Sequence, residues 1–260
     1  MSTIYGPVPS WRLGRSLGVD PISRRKVCTF DCIYCQLGST TEKTAARRVF
    51  VGTGAVGKDL QDALKKNPKF DIITFSGTGE PTLAENLGEM VDEIRKTLKG
   101  TKHEKTPVAI LTNGSLLHRG DVRNDLEKMD MVVATLDAAD GKTFKKVNRP
   151  AMGIEFDEVV EGIGKFRKGF QGKFCLQMML LNENKGSAAK MAALARKIKP
   201  DMTYVNVPWK RKGIEVVSEE EITKLKKKFE GLNVRTYYEG IKPKVEVMDM
   251  AEMKKRRPVL

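Results

Sequence analysis

The chain reads as an α/β protein built on parallel strands. Six short β-rich runs alternate with amphipathic stretches of helical spacing from residue 56 onward. No internal repeat, low-complexity tract or Pro-, Gly- or Ser-rich linker interrupts the alternation. Hydrophobic residues make up 40% of 260 positions, enough for the core of one large domain. Strands that alternate with helices pair in parallel through right-handed crossovers. Six such units build either a partial β/α barrel or a doubly wound sheet, and in both the ligands collect at the carboxyl ends of the strands.

The first helical stretch is Val56–Leu64, which puts Val56, Leu60, Ala63 and Leu64 on one face. Strand Asp71–Ser76, helix Leu87–Leu98 and strand Val108–Thr112 follow. Pro107 stands just before that last strand, where a missing amide proton costs little. Helix Asp121–Lys128 leads to strand Met131–Leu136, helix Phe156–Phe166 to strand Phe174–Leu181, and helix Ala188–Ile198 to strand Thr203–Val207. Ser218 caps helix Glu219–Phe229, whose first turn is acidic as the helix dipole favours, and Val234–Tyr238 is the last strand. The core spans about residues 20–210, the first 20 residues read as an extension, and residues 211–260 form a C-terminal extension of the same single domain.

Lys and Arg outnumber Asp and Glu by 47 to 33, a net charge of +14. A basic surface favours polyanions, above all nucleic acid, although runs such as Lys226–Lys228 and Lys254–Arg257 are more often solvated faces or frayed tails. No apolar run approaches the roughly 20 residues of a membrane helix, and Met1–Pro7 lacks the features of a signal peptide. The expectation is a cytoplasmic protein without membrane partners. There, cysteines read as metal-binding or catalytic before they read as disulfides.

Three of the four cysteines lie in Cys28-Thr-Phe-Asp-Cys32-Ile-Tyr-Cys35, three thiols on one short loop with no fourth nearby. Structural zinc wants four ligands, usually as two cysteine pairs. An iron–sulfur cluster normally takes a thiolate on every iron, so three ligands would leave one iron open to a small molecule. Cys175, inside Phe174–Leu181, reads as a buried structural thiol.

Polar residues recur at five successive strand ends after this loop, which suggests one pocket. Ser76-Gly77-Thr-Gly79-Glu80-Pro81 offers two glycines for close backbone approach and one carboxylate suited to a ligand ammonium; an ordinary βα turn also uses Gly and Pro. Asn113-Gly114 is turn chemistry. Asp137 suits either ribose hydroxyls or a helix cap. Asn182 and Asn206 close the fourth and fifth strands. Trp11 and Trp209 either stack on a substrate base or simply pack.

Other signals are weaker. Gly52–Lys58 satisfies seven positions of a phosphate-binding loop, but Asp59 stands where Ser or Thr should hold magnesium, so the segment reads as a loop opening the first helix. His103 and His118 lack metal-ligand spacing.

With Tyr34 before its last cysteine, the cysteine loop resembles the signature of the radical S-adenosylmethionine (SAM) superfamily. The resemblance covers roughly residues 20–210. It implies a partial (β/α)6 barrel, a [4Fe–4S] cluster on Cys28, Cys32 and Cys35, and SAM chelated to the fourth iron. It places Tyr34, Gly77, Gly79, Glu80, Asn113, Asp137 and Asn182 at the SAM pocket, with residues 76–81 at the methionine amine and Asp137 at the ribose. The implied chemistry is reductive cleavage of SAM to a 5′-deoxyadenosyl radical that abstracts hydrogen from a substrate, with electrons from a ferredoxin- or flavodoxin-type donor. Gly6–Gly18 together with the cysteine loop resembles a short microbial branch grouped with wyosine-type tRNA-modifying enzymes, though without their extra N-terminal cysteines. tRNA is thus the substrate to test first. The alternatives are a glycyl-radical-enzyme activase or other protein-modifying enzyme, and a non-enzymatic metal-binding nucleic-acid module. The sequence does not fix an oligomeric state.

Overall fold

The computed structural model describes residues 2–23, 25–208 and 213–258. Strands β1 (Ile4–Ser10) and β2 (Gly14–Val19) form an antiparallel hairpin. Short strands β3 (Val27–Cys28) and β4 (Glu42–Lys43) pair separately and frame the cysteine loop. The main sheet continues in parallel from β2 through β5 (Ile72–Phe75), β6 (Val108–Thr112), β7 (Met131–Thr135), β8 (Lys173–Met179), β9 (Met202–Asn206) and β10 (Val234–Thr236). Its order is β1-β2-β5-β6-β7-β8-β9-β10, a curled half-barrel of eight strands. This is the partial barrel, one of the two architectures the alternation allows and the one the resemblance implies, with β1 and β2 added to the six strands of the alternation.

The period-2 alternation of each strand divides the core in two. One face carries Ile73, Phe75, Val108, Ile110, Val132, Ala134, Phe174 and Leu176. It packs on helices α1 (Thr53–Lys65), α2 (Leu87–Leu98), α3 (Gly120–Leu126), α4 (Gly141–Val147), α5 (Phe156–Gly169) and α6 (Ala188–Ile198). Each fully buried Leu or Ile there contributes about 1.5–3 kcal/mol. The other face carries Ile72, Ala109, Met131, Val133 and Cys175, which close on Trp11, Leu13 and Tyr204. The Trp11 ring meets Tyr204 and Tyr237 edge-on at 5.5 and 6.0 Å. Trp11 thus packs and also borders a cavity on this face, while Trp209 lies outside the described residues. Toward the carboxyl ends, the same inner face turns polar.

The segment read as an N-terminal extension is built into the sheet, because β2 pairs directly with β5. The C-terminal extension adds α7 (Glu219–Lys226), which Ser218 caps as expected, and α8 (Met250–Arg256), which packs against β1. The basic run at 254–257 is therefore not a frayed tail: Arg256 is fully buried. Helix α4, which the periodicity does not announce, begins where Asp140 Oδ1 accepts from Thr143 N at 2.8 Å. The 52–58 segment is not a loop, since α1 already starts at Thr53. Asp59 instead accepts from Thr3 N and Oγ1 at 2.6 and 2.8 Å.

Candidate active site

The cysteine loop hangs on the end of α4. Asp31 N donates to Asn148 O at 3.0 Å, and Ile33 N to Val147 O at 3.0 Å. Thr40 closes the loop's far side through Asp31 Oδ1 at 2.7 Å and Phe30 O at 2.7 Å. Cys35 N donates to Cys32 O at 3.1 Å, which makes the tight turn that brings these two cysteines to one side. No disulfide links Cys28, Cys32, Cys35 or Cys175. Cys175 is buried in β8 among the inner-face residues, as expected.

Two asparagines approach the loop's sulfurs. Asn113 Nδ2 lies 3.6 Å from Cys28 Sγ and 2.7 Å from Thr29 Oγ1. Asn148 Nδ2 lies 3.5 Å from Cys32 Sγ and 2.9 Å from Asp137 Oδ2. Phe30 N adds a third donor, 3.4 Å from Cys28 Sγ. Burial, reinforced by Glu80, pushes the Cys28 thiol up to about 12. Burial and then Asp137 push Cys32 well above the ordinary thiol value. Nearby cations lower such values, and metal binding displaces the protons outright.

These residues fit an iron–sulfur cluster. The donors are soft thiols, and N–H groups aim at two of the sulfurs. No three His, Cys, Asp or Glu groups among the described residues close around a single metal ion. A four-iron cluster is wider than one ion and spreads its ligands accordingly.

The loop opens onto a cavity of about 270 Å³ on the inner face of the half-barrel, at the carboxyl ends of the strands. Tyr34, Cys35, Gly77 and Gly79 line it. Gly79 is there for a steric reason: a Cβ at that position would stand 1.8 Å from Val27 O, where the 76–81 loop runs beside β3.

Other expected pocket residues stand behind this wall. The Glu80 carboxylate, read as a partner for a ligand ammonium, accepts four hydrogen bonds from within the protein. Oε1 accepts from Thr82 N, Thr82 Oγ1 and Thr112 Oγ1, and Oε2 from Asn113 N at 2.8 Å. Asp137, read as a ribose contact or a cap, accepts from Tyr34 Oη, Asn148 Nδ2 and Met179 N. Burial raises Asp137 to about 6 against these bonds. Asn182 is not brought to the site. It is exposed and donates to Glu215 at 2.6 Å. Its neighbour Asn184 is buried instead, donating to Asp137 O and Met179 O, both at 2.7 Å.

Sequence reasoning passes over Asn148, whose helix it does not anticipate, and over Thr135 and Gln177, which line the cavity with Asn206. Gln177 left a signal: it is the polar residue inside the apolar run Phe174–Leu181.

The sequence pattern of the Radical SAM superfamily matches residues 22–195. A protein named GTPase Obg from Brachyspira hyodysenteriae is 38% identical over 233 residues, covering 87% of this chain and 33% of that protein. A UPF0026 protein from Methanocaldococcus jannaschii is 38% identical over 213 residues, covering 80% of this chain and 64% of its own length. The chain thus spans one third and just under two thirds of these relatives. Among solved structures, TYW1 with a lysine-pyruvate adduct superposes with a TM-score of 0.62 at 16% identity, covering 85% of this chain and 76% of that one. Native anSMEcpe with bound AdoMet gives 0.64 at 17% identity, covering 86% and 64%. At these identities the likeness is one of fold.

Proposed function

The chain belongs to the radical SAM superfamily, and on that premise we propose that Cys28, Cys32 and Cys35 hold the cluster while the cavity beside Cys35 receives SAM and a substrate. The family implies an enzyme with a [4Fe–4S] cluster and SAM, which together supply, when bound, reductive SAM cleavage and hydrogen abstraction. The observation that carries the assignment is the convergence of the cysteine loop, the two sulfur-facing asparagines and the strand-end cavity.

The chain's own residues divide the work. The three cysteines are the ligands, and Asn113 and Asn148 orient Cys28 and Cys32 while offsetting negative charge on their sulfurs. Gly77 and Gly79 are glycine because a Cβ would strike Asp20 and Val27, and the 76–81 backbone itself lines the cavity at these two positions. Thr135, Gln177 and Asn206 present polar groups to a ribose or base along the same wall. Glu80 and Asp137 act as positioning residues: Glu80 ties the 76–81 loop to Asn113, and Asp137 ties Tyr34 to Asn148. The inner-face residues below exclude water from the reacting groups.

The substrate reading is a base in tRNA. It rests on the net charge of +14 and on the resemblance of the N-terminal segment and cysteine loop to tRNA-modifying enzymes. Hydrolysis of a nucleotide at 52–59 finds no support, because α1 occupies the stretch that would wrap a phosphate.

Anaerobic reconstitution with iron and sulfide, then reduction with SAM present, tests the central reading. 5′-Deoxyadenosine should form and should vanish in Cys32→Ala. Protein that takes up iron and never cleaves SAM would sink it. Faster turnover with bulk tRNA, and binding that weakens steeply with salt, would support RNA. Turnover stimulated only by a protein fraction would replace it with a protein-modifying role.

A further inference from the structure

The cavity wall is lopsided in charge. Arg12, Lys242 and Arg257 line it, and no Asp or Glu does among the described residues. Arg12 stands in the β1–β2 turn beside Trp11, its guanidinium 5.7 Å from the indole centroid. Its Nε is buried and has no hydrogen-bond partner. Burial, and next the charge of Arg257, pull Arg12 down to about 10, against a smaller opposing effect of Tyr204. Arg257 reaches the cavity from the end of α8, where Nη2 donates to Ser76 Oγ at 3.2 Å. Arg15, three residues from Arg12, is different: it points outward to Asp71.

A guanidinium with a buried, unused donor, facing the charge of a second and half-buried one, costs stability unless something anionic joins them. SAM answers this need only in part: it has a carboxylate, but its ammonium and sulfonium leave it net positive, so it adds positive charge to the wall. A second molecule with an oxyanion does, since the guanidinium fork matches carboxylate and phosphate geometry.

We propose that Arg12 and Arg257 bind an oxyanion, a carboxylate or phosphate group, of the molecule on which the enzyme acts. The proposal rests on the reading of this cavity as the active site and adds a substrate class to it. The N-terminal hairpin and the C-terminal helix thereby contribute to specificity, each delivering one arginine to the wall that also carries Cys35 and Gly79.

The test is calorimetric titration of the full chain with inorganic phosphate and, separately, with malonate, at low ionic strength. Saturable one-site binding of either anion is expected, and the tighter of the two identifies the oxyanion. Arg12→Gln should weaken it about tenfold or more, and Arg257→Gln should do the same and serves if Arg12→Gln does not fold. The surface variant Arg15→Gln should leave it unchanged. No saturable binding of either anion, or equal binding by the wild type and the folded Gln variants, overturns the proposal. So does a fall in SAM affinity of reconstituted Arg12→Gln by the same factor, which would give Arg12 to the cofactor. These titrations need no turnover. Failure to cleave SAM with anion binding intact would defeat the proposed function and leave the anion site standing.

Discussion

Arg256 Nε lies 3.0 Å from Asp20 Oδ2 across 236 residues of sequence, and both side chains are fully buried. Arg256 also donates to Ser2 O at 2.7 Å, while Asp20 accepts from Ile22 N, Ser23 N and Thr78 Oγ1. One ion pair therefore ties both chain ends to the approach of the cysteine loop and to the 76–81 loop. Removing one partner of such a pair leaves a charge without compensation. Arg256→Met should cost about 3–5 kcal/mol, seen as a lower denaturant midpoint. Asp20→Asn in the same chain should recover part of that loss. An unchanged midpoint in the single variant would show that α8 does not hold the fold together.

Gly79 is fixed by backbone, not by a flexible side chain. Because its added Cβ would fall 1.8 Å from Val27 O, the loop cannot accommodate alanine without breaking the Glu80 N to Val27 O bond at 3.1 Å. Gly79→Ala should therefore lower thermal stability and reduce iron uptake on reconstitution. Gly54→Ala is the control: a Cβ there, in the first turn of α1, meets nothing within 4 Å. Equal iron uptake by the two variants would contradict the steric argument.

The sheet was legible because parallel strands and amphipathic helices leave different periods in the sequence. The cysteine loop was legible because its spacing is local. The reach of single side chains was not. Glu80 and Asp137 fall at the expected strand ends, yet both turn inward to protein donors, a choice set by Thr112, Tyr34 and Asn148 from other elements. Asn182 and Asn184 are two residues apart, and only the bend after β8 decides which one is buried. The β1–β2 hairpin stood before the region of clear alternation, so its place beside β5 depended on a long-range register.

Arg119 and then Arg47 hold the Asp121 carboxyl well below the usual carboxylate range. A depressed carboxylate contributes stability above its unfolded value, about 3.9, and loses it as pH falls through the folded value. Asp121 is about half exposed, so the effect is small, on the order of 0.2–1 kcal/mol. Asp121→Asn should lower the melting temperature slightly at pH 7, and the gap from wild type should shrink below about pH 4. A gap that widened on acidification would contradict the assignment of this ion pair.

Asn148 makes the sharpest test of the proposed centre, because it touches Cys32 Sγ and Asp137 at once. An N–H donor stabilises added negative charge on a ligand sulfur, and such bonds are among the factors that set cluster potentials. Asn148→Leu keeps the volume and removes the donor. Once reconstituted, it should bind iron in the wild-type ratio but reduce at a more negative midpoint potential, and SAM cleavage at a fixed reductant strength should slow. Asn148→Asp, which brings a carboxylate next to Asp137 and the sulfur, should shift the potential further in the same direction. A merely structural Asn148 would lower stability and iron uptake in both variants while leaving the potential of whatever cluster forms where it was.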